Sequence, residues 1–215
     1  MSDPKRPPLS SERIVDAAKA VADADGLDAV SMRRIGAELG VEAMSLYHHV
    51  ANKDELLRAI IDAVLAEIEI PDPGDDWRDA MRRRAASARA VFARHPWAIG
   101  LLERHSEDSS PQRLGYSDAI LGALRSAGFE PHLAMRAFSL LDSFIYGFLL
   151  QEASLPFDDE ASLDEIGADL LAQMAGAYPH LTEATRLALE SGYDFSDEFD
   201  FGLDLIIEAL GRAAG

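Results

Sequence analysis

At 215 residues with 38 Asp/Glu against 20 Lys/Arg, the chain carries a formal net charge of −18, which argues against a protein that coats nucleic acid with its whole surface. It has no cysteine, which excludes disulfides and thiolate chemistry and fits a reducing cytoplasm. Met1 to Leu9 has two basic residues but no apolar run behind them, so no secretory signal is read, and the longest apolar run, Ala137 to Leu150, is short for a bilayer span and contains Asp142.

In chain order, Met1 to Leu9 holds three prolines and is expected to be a disordered basic tail. Ser11 to Asp25 places Ile14, Ala17, Ala18, Val21 and Ala22 on one helical face, and Gly26 stops it. Ser31 is a good N-cap for a helix of about two turns whose inward face is Met32, Ile35 and Leu39. Gly36, inside that helix, costs about 1 kcal/mol against alanine, which points to close packing against a neighbour. Gly40 ends the helix in a left-handed turn, with Val41 in the corner. A second short helix is expected over Glu42 to His49, with Leu46 inward and Ala43, Met44, Ser45, Tyr47, His48 and His49 mostly outward. Asn52 then opens a third helix with Glu55 three residues on, a capping-box spacing, and Lys53 at the first position beside a helix end able to hold phosphate. Its apolar positions, Leu56 to Ile68, run until P-D-P-G-D-D.

The remainder is read as helical throughout. Asp75 to Arg94 points Trp77, Met81, Ala85, Ala88 and Phe92 inward with Arg82, Arg83, Arg84 and Arg89 at its margins, and His95-Pro96 ends it. Shorter helices follow over Trp97 to His105 and Gln112 to Ala127, and a long apolar one runs from Pro131 to about Ala153. Two less distinct helices lie near Leu163 to Ala177 and Leu181 to Glu190, before a last apolar helix over Asp197 to Ala213. The long helix leaves little polar face and is expected to be covered all round. It and the last helix expose more apolar surface than one small domain uses, which suggests a subunit interface.

The string S-M-R-R-I-G-A-E-L-G-V followed by S-L-Y-H-H-V-A-N-K-D-E-L-L resembles the helix-turn-helix of the tetracycline-repressor (TetR) family of bacterial transcriptional regulators almost position by position. The likeness covers Ser10 to about Ala66, and the rest resembles the family's regulatory half more loosely, through D-W-R-D-A, R-H-P-W-A, A-G-F and the long apolar helix. The resemblance implies an all-α chain with a three-helix DNA-binding domain at 10–66 and a helical ligand-binding and dimerisation bundle at 67–215. It implies a homodimer through the helices 131–153 and 197–213, double-stranded operator DNA and a small-molecule effector as partners, and neither cofactor nor membrane.

Met32 and Arg33 are counted among the DNA-binding residues, Met32 in spite of its inward spacing, and the resemblance places Arg33 at a position that reaches a base edge, where a bidentate arginine discriminates by about 1 to 3 kcal/mol. Ala43 and Met44 match base-contacting positions but are apolar, so thymine methyl contact is expected of them. Ser45, Tyr47, His48 and Lys53 match phosphate-contacting positions, with partial core packing an open alternative for Tyr47. Charge is distributed to suit this: residues 1 to 58 hold eight Lys/Arg and ten Asp/Glu, whereas the other 157 hold twelve and twenty-eight. An acidic bulk behind a near-neutral head favours one docking orientation.

Adjacent His48 and His49 point about 100° apart on a helix and lack a third ligand, so no metal is read there. No H-E-x-x-H, G-x-S-x-G or phosphate-loop glycine pattern occurs, and Asp158-Asp159-Glu160 reads as a solvated charge run. A pocket in the bundle is expected among Met81, Phe92, Trp97, Ile99, Met135, Phe138 and Met174, for each of which ordinary core packing is the competing reading. Asp142 and Tyr146, four apart in an apolar helix, are read as pocket wall; the alternative is a buried carboxylate with Arg104 or His105, both counted with the pocket residues, as its internal partner. The favoured function is a ligand-responsive repressor. The alternatives are an all-helical enzyme or lipophilic carrier with a vestigial helix-turn-helix, and a constitutive DNA-bound scaffold with a solid core.

Overall fold

The computed structural model describes residues 7–72, 74–105, 107, 109–155, 160–174, 176–192 and 194–215. Among the described residues every regular element is helical: α1 (Ser11–Asp25), α2 (Met32–Leu39), α3 (Ala43–Leu46), α4 (Lys53–Leu65), α5 (Trp77–Arg94), α6 (Trp97–Arg104), α7 (Pro111–Ser126), α8 (Pro131–Glu152), α9 (Glu160–Met174), α10 (Pro179–Ser191) and α11 (Phe195–Ala214), with a 3₁₀ turn at Leu27–Ala29. The expected tail at Met1 to Arg6 and the acids Asp158 and Asp159 lie outside the described residues. Pro7 and Pro8, assigned by sequence to that tail, are held to α1, because Arg13 Nη1 donates to both carbonyls at 2.6 and 2.8 Å.

The chain divides into two compact units, 1–146 and 147–213, the division falling inside α8. In the first, Ile14, Ala17, Ala18, Val21 and Ala22 of α1 are buried, and α1 packs on α4, whose Leu56, Ile60, Ile61, Val64 and Leu65 are buried too. Polar bonds fasten α1 to the elements behind it. Asp23 accepts from His95 Nδ1 at 2.6 Å and from Trp97 Nε1 at 2.7 Å, and Lys19 donates to Glu67 at 2.6 Å. This is why the compact unit does not end where the motif does. Helix α5 is capped by Asp76, which accepts from the amides of Arg78 and Asp79, and it buries the expected Trp77, Met81, Ala85, Ala88 and Phe92. Arg84, expected at a margin, is instead fully buried.

Helix α8 buries Ala134, Ala137, Leu141, Ile145 and Leu149, a stripe with helical spacing, while Met135, Leu140 and Leu150 are 51, 46 and 45 % exposed. Among the described residues, cover on all sides, expected from sequence, is therefore not supplied. At 22 residues α8 has the length and apolarity of a membrane-crossing helix. Its buried stripe and the ion pair of Asp142 with Arg84 mark it as a packed element of the fold.

In the second unit α9 packs on α10. A Cβ on Gly167 would meet the Leu189 side chain at 2.6 Å, so the helices touch where one residue has no side chain. The two start three and two residues earlier than the spacing predicts, α10 with Pro179 in its first turn. Phe148 stacks with Phe195 and Phe199 at 4.5 and 5.0 Å between ring centroids. Helix α11 buries Phe199, Leu203, Ile207 and Leu210 and leaves Phe201 and Leu205 exposed.

Candidate functional site

The helix-turn-helix segment over 31–55, the candidate reading unit, is set by backbone geometry that its sequence dictates. Ser31 Oγ accepts from the Arg34 amide at 3.2 Å, starting α2, and Gly40 ends it at φ 65°, a left-handed value that glycine adopts without a steric penalty. A Cβ on Gly36 would lie 2.9 Å from the Val41 carbonyl oxygen and 3.2 Å from the Ala43 amide nitrogen. The absence of a side chain there lets the turn fold back onto α2, and Val41 N–H bonds the Gly36 carbonyl at 2.8 Å. Helix α3 is only Ala43–Leu46, shorter than the expected Glu42 to His49. After Leu46 the amide of His49 bonds its carbonyl in a tighter turn, which brings Val50 into the core and sets up Asn52 as the next cap. Asn52 Oδ1 accepts from the Glu55 amide at 2.8 Å, and Glu55 Oε2 accepts from the Ala51 amide at 2.7 Å.

The expected DNA-binding residues fall as follows. Arg33, Met44, Tyr47, His48 and Lys53 are exposed, Met44 at 73 %, and Ala43 and Ser45 are half-buried. Exposure of a thioether to this degree leaves apolar area facing water on an otherwise polar surface. Met32 is the exception, with its side chain buried against the core. It can offer a ligand only its backbone, because its spacing from Ile35 puts it on the inward face. Arg34 is bonded to Asp25 at 3.1 Å, so of the arginine pair it is Arg34 that braces the preceding helix.

Behind this unit lies a cavity of about 330 Å³. Leu65 of α4, Leu102 and Glu103 of α6, and Phe138, Asp142 and Tyr146 of α8 form part of its wall, and α7 with the residue before its cap supplies Ser109, Arg113, Leu114, Tyr116 and Ser117. One end is a polar cluster. The buried Arg84 pairs through Nη2 with Asp142 and donates through Nε to the Tyr116 hydroxyl at 2.7 Å. Its guanidinium carbon lies 5.1 Å from the centre of the Tyr116 ring. Burial pushes the Asp142 carboxyl above its ordinary value even though Arg84 pulls it down, and burial likewise raises Tyr116 and carries Tyr146 well above ten. Both phenols are therefore neutral hydrogen-bonding groups near neutral pH.

Of the residues expected at a pocket, Phe138, Asp142 and Tyr146 line this cavity. Met81 and Ile99 are core, and Phe92 sits edge-on to the Tyr146 ring at 5.7 Å. Trp97 is at the α1 junction through Asp23, Arg104 Nε donates to its own helix at Gly100, Met135 is exposed, and Met174 is buried in the second unit. His105 gives its carbonyl to Arg113, and its Nε2 is 3.9 Å from Asp54. The partner of Asp142 is Arg84, not Arg104 or His105. Arg84 lies three residues after Met81 and four before Ala88, both buried, so helical geometry carries its guanidinium inward. The residues of α7 were missed; the signal was Tyr116, Ile120 and Leu124, spaced at four, with Arg113 one turn before them. Among the described residues no group of three or more His, Asp or Glu could hold a metal ion.

Residues 70–213 match the family described as "Tetracyclin repressor-like, C-terminal domain", and residues 14–60 match "Bacterial regulatory proteins, tetR family". The chain belongs to the TetR family. As a TetR-family protein it is a DNA-binding transcriptional regulator, and because both halves match, the helix-turn-helix is not appended to an unrelated domain. It is similar to an "HTH-type transcriptional regulator" of Saccharopolyspora erythraea, 31% identical over 98% of this chain and 88% of the relative. It is also similar to the "HTH-type transcriptional repressor DrrR1" of Streptomyces coeruleorubidus, 32% identical over 95% of this chain and 78% of that protein. Among solved structures, ActR of Streptomyces coelicolor is 32% identical with a TM-score of 0.79, both in complex with (S)-DNPA and in complex with actinorhodin. These comparisons cover 97% of this chain and 100% and 98% of ActR.

Proposed function

We propose that the protein is a homodimeric repressor that binds a palindromic operator through Arg33, Ala43, Met44, Ser45, Tyr47, His48 and Lys53, and is released by a small molecule in the cavity. The observation that carries this is α4: it begins at Lys53 in the exposed reading unit and ends at Leu65 on the cavity wall. Thirteen residues make a rod of about 20 Å that touches both places, so a ligand that prefers one position of α4 changes the spacing of two reading heads. Two heads read a palindrome because the spacing of half-sites mirrors the two-fold axis of the dimer. ActR, with actinorhodin or (S)-DNPA bound, is the relative that supports a small-molecule effector. The exposed apolar residues of the helices 131–153 and 197–213 support a second copy as their cover. The protein would act in the cytoplasm, where its DNA lies.

A gel shift with the DNA upstream of its own gene tests the reading. Arg33→Ala is expected to weaken specific binding by about 5- to 150-fold, the equivalent of losing a bidentate base contact. Unchanged affinity, or a salt dependence no steeper than that of a neutral protein, would refute it.

A further inference from the structure

Arg113 is the single cationic side chain among the described residues of the cavity wall, and its hydrogen bonding is incomplete. Its Nε donates to Asp62 of α4 at 3.2 Å and its Nη1 to the His105 carbonyl, but its Nη2 is closed off from water with no acceptor. A guanidinium is a permanently charged planar fork, best satisfied by an oxyanion accepting from two of its nitrogens. The other charged groups of the wall do not compete for that place. Asp142 is taken up by Arg84, and Glu103 is exposed, where water screens it. Around Arg113 the wall is apolar: Leu65, Leu102, Leu114 and Phe138.

We propose that the cavity takes an apolar molecule bearing one oxyanion, a carboxylate or an ionised phenol, and that Arg113 receives this group in competition with Asp62. This rests on the cavity being the effector site. Because Nη2 is shut off from the cavity as the side chain now lies, the guanidinium must turn to meet the ligand, and turning draws Nε off Asp62. Asp62 is on α4. The atom group that senses the acid is thus the one that holds the helix leading to the DNA-reading unit, and acid binding and release of α4 are one event.

The test is calorimetric titration of the full chain with three probes of one shape: 2-naphthoate, 2-naphthamide and 2-naphthylmethylammonium. Naphthoate is expected to bind at least about ten-fold tighter than the amide, and the ammonium weakest. Arg113→Met should bring naphthoate and amide within about two-fold of each other, while Arg113→Lys, which keeps the charge without the fork, falls between. Asp62→Asn should tighten naphthoate binding several-fold, since it removes the competing carboxylate, and hydrogen exchange along α4 should rise on adding naphthoate to the unmodified protein. A purely structural Arg113–Asp62 pair would do neither. Equal binding of naphthoate and amide to the unmodified protein overturns the acid preference whatever the variants do, and weaker naphthoate binding by Asp62→Asn overturns the competition. Failure of all three probes to bind overturns the cavity as the effector site itself.

Discussion

Separating the two members of the Arg84–Asp142 pair should have unequal consequences. Arg84 is 1 % exposed and cannot shed its charge, whereas Asp142 is 20 % exposed, lies on the cavity wall and has its pKa raised by burial, so it can become neutral by taking a proton. Asp142→Asn leaves an uncompensated buried guanidinium and is expected to cost about 3 to 5 kcal/mol, the range for breaking a buried ion pair from one side. Arg84→Met leaves a carboxyl that protonates and a Tyr116 hydroxyl that has lost a donor; its cost is about 1 to 3 kcal/mol. The difference, about 2 kcal/mol, is roughly 4 to 8 °C in Tm for a chain of this size, measurable by thermal or urea unfolding. The double variant should cost less than the two single ones together, by about 0.5 to 3 kcal/mol.

The pH dependence supplies a second readout. In Arg84→Met the folded-state pKa of Asp142 stands above its unfolded value, so the folded chain binds more protons and its stability falls as pH rises from about 4 through the raised folded pKa. The same variant is therefore least impaired near pH 4, while Asp142→Asn has no such dependence. Equal costs for the two single variants, additive behaviour in the double variant, or a flat pH response in Arg84→Met would refute the reasoning.

Gly36→Ala places a Cβ 2.9 Å from a backbone oxygen that cannot move without opening the turn, so overpacking of about 1 to 3 kcal/mol outweighs or cancels the roughly 1 kcal/mol of helix propensity gained; DNA affinity in a gel shift should drop more than Tm does. Burial opposes the charge of Glu67, but hydrogen bonds from Lys19 and Arg94 prevail and lower its pKa to about 2. The folded state then binds fewer protons than the unfolded one, so this contribution is present above the unfolded value of about 4.3 and is lost as pH falls towards 2; the Tm gap between the unmodified protein and Glu67→Gln should close over that window. Phe201→Glu with Leu205→Glu, both on the exposed side of α11, should shift sedimentation from dimer to monomer without lowering helix content, and an unchanged dimer would remove α11 from the proposed seam.

Sequence by itself determined the reading unit, because everything that shapes it is local. The Ser31 and Asn52 caps, the left-handed Gly40 and the packing at Gly36 involve residues three to seven apart, and such distances are fixed by helix geometry before any tertiary packing. The inward residues of α1 and α5 were legible for the same reason, as apolar stripes at helical spacing. The cavity was only partly legible. Asp142 was conspicuous as a charge in an apolar helix, but its partner Arg84 is 58 residues away, on a helix with six arginines, a residue type whose usual place is the surface. Likewise Arg113 meets Asp62 across 51 residues, and nothing in either neighbourhood names the other. Which residues share a wall depends on how α4, α6, α7 and α8 pack, and that packing is chosen by the whole core at once, so only the tertiary structure could decide it.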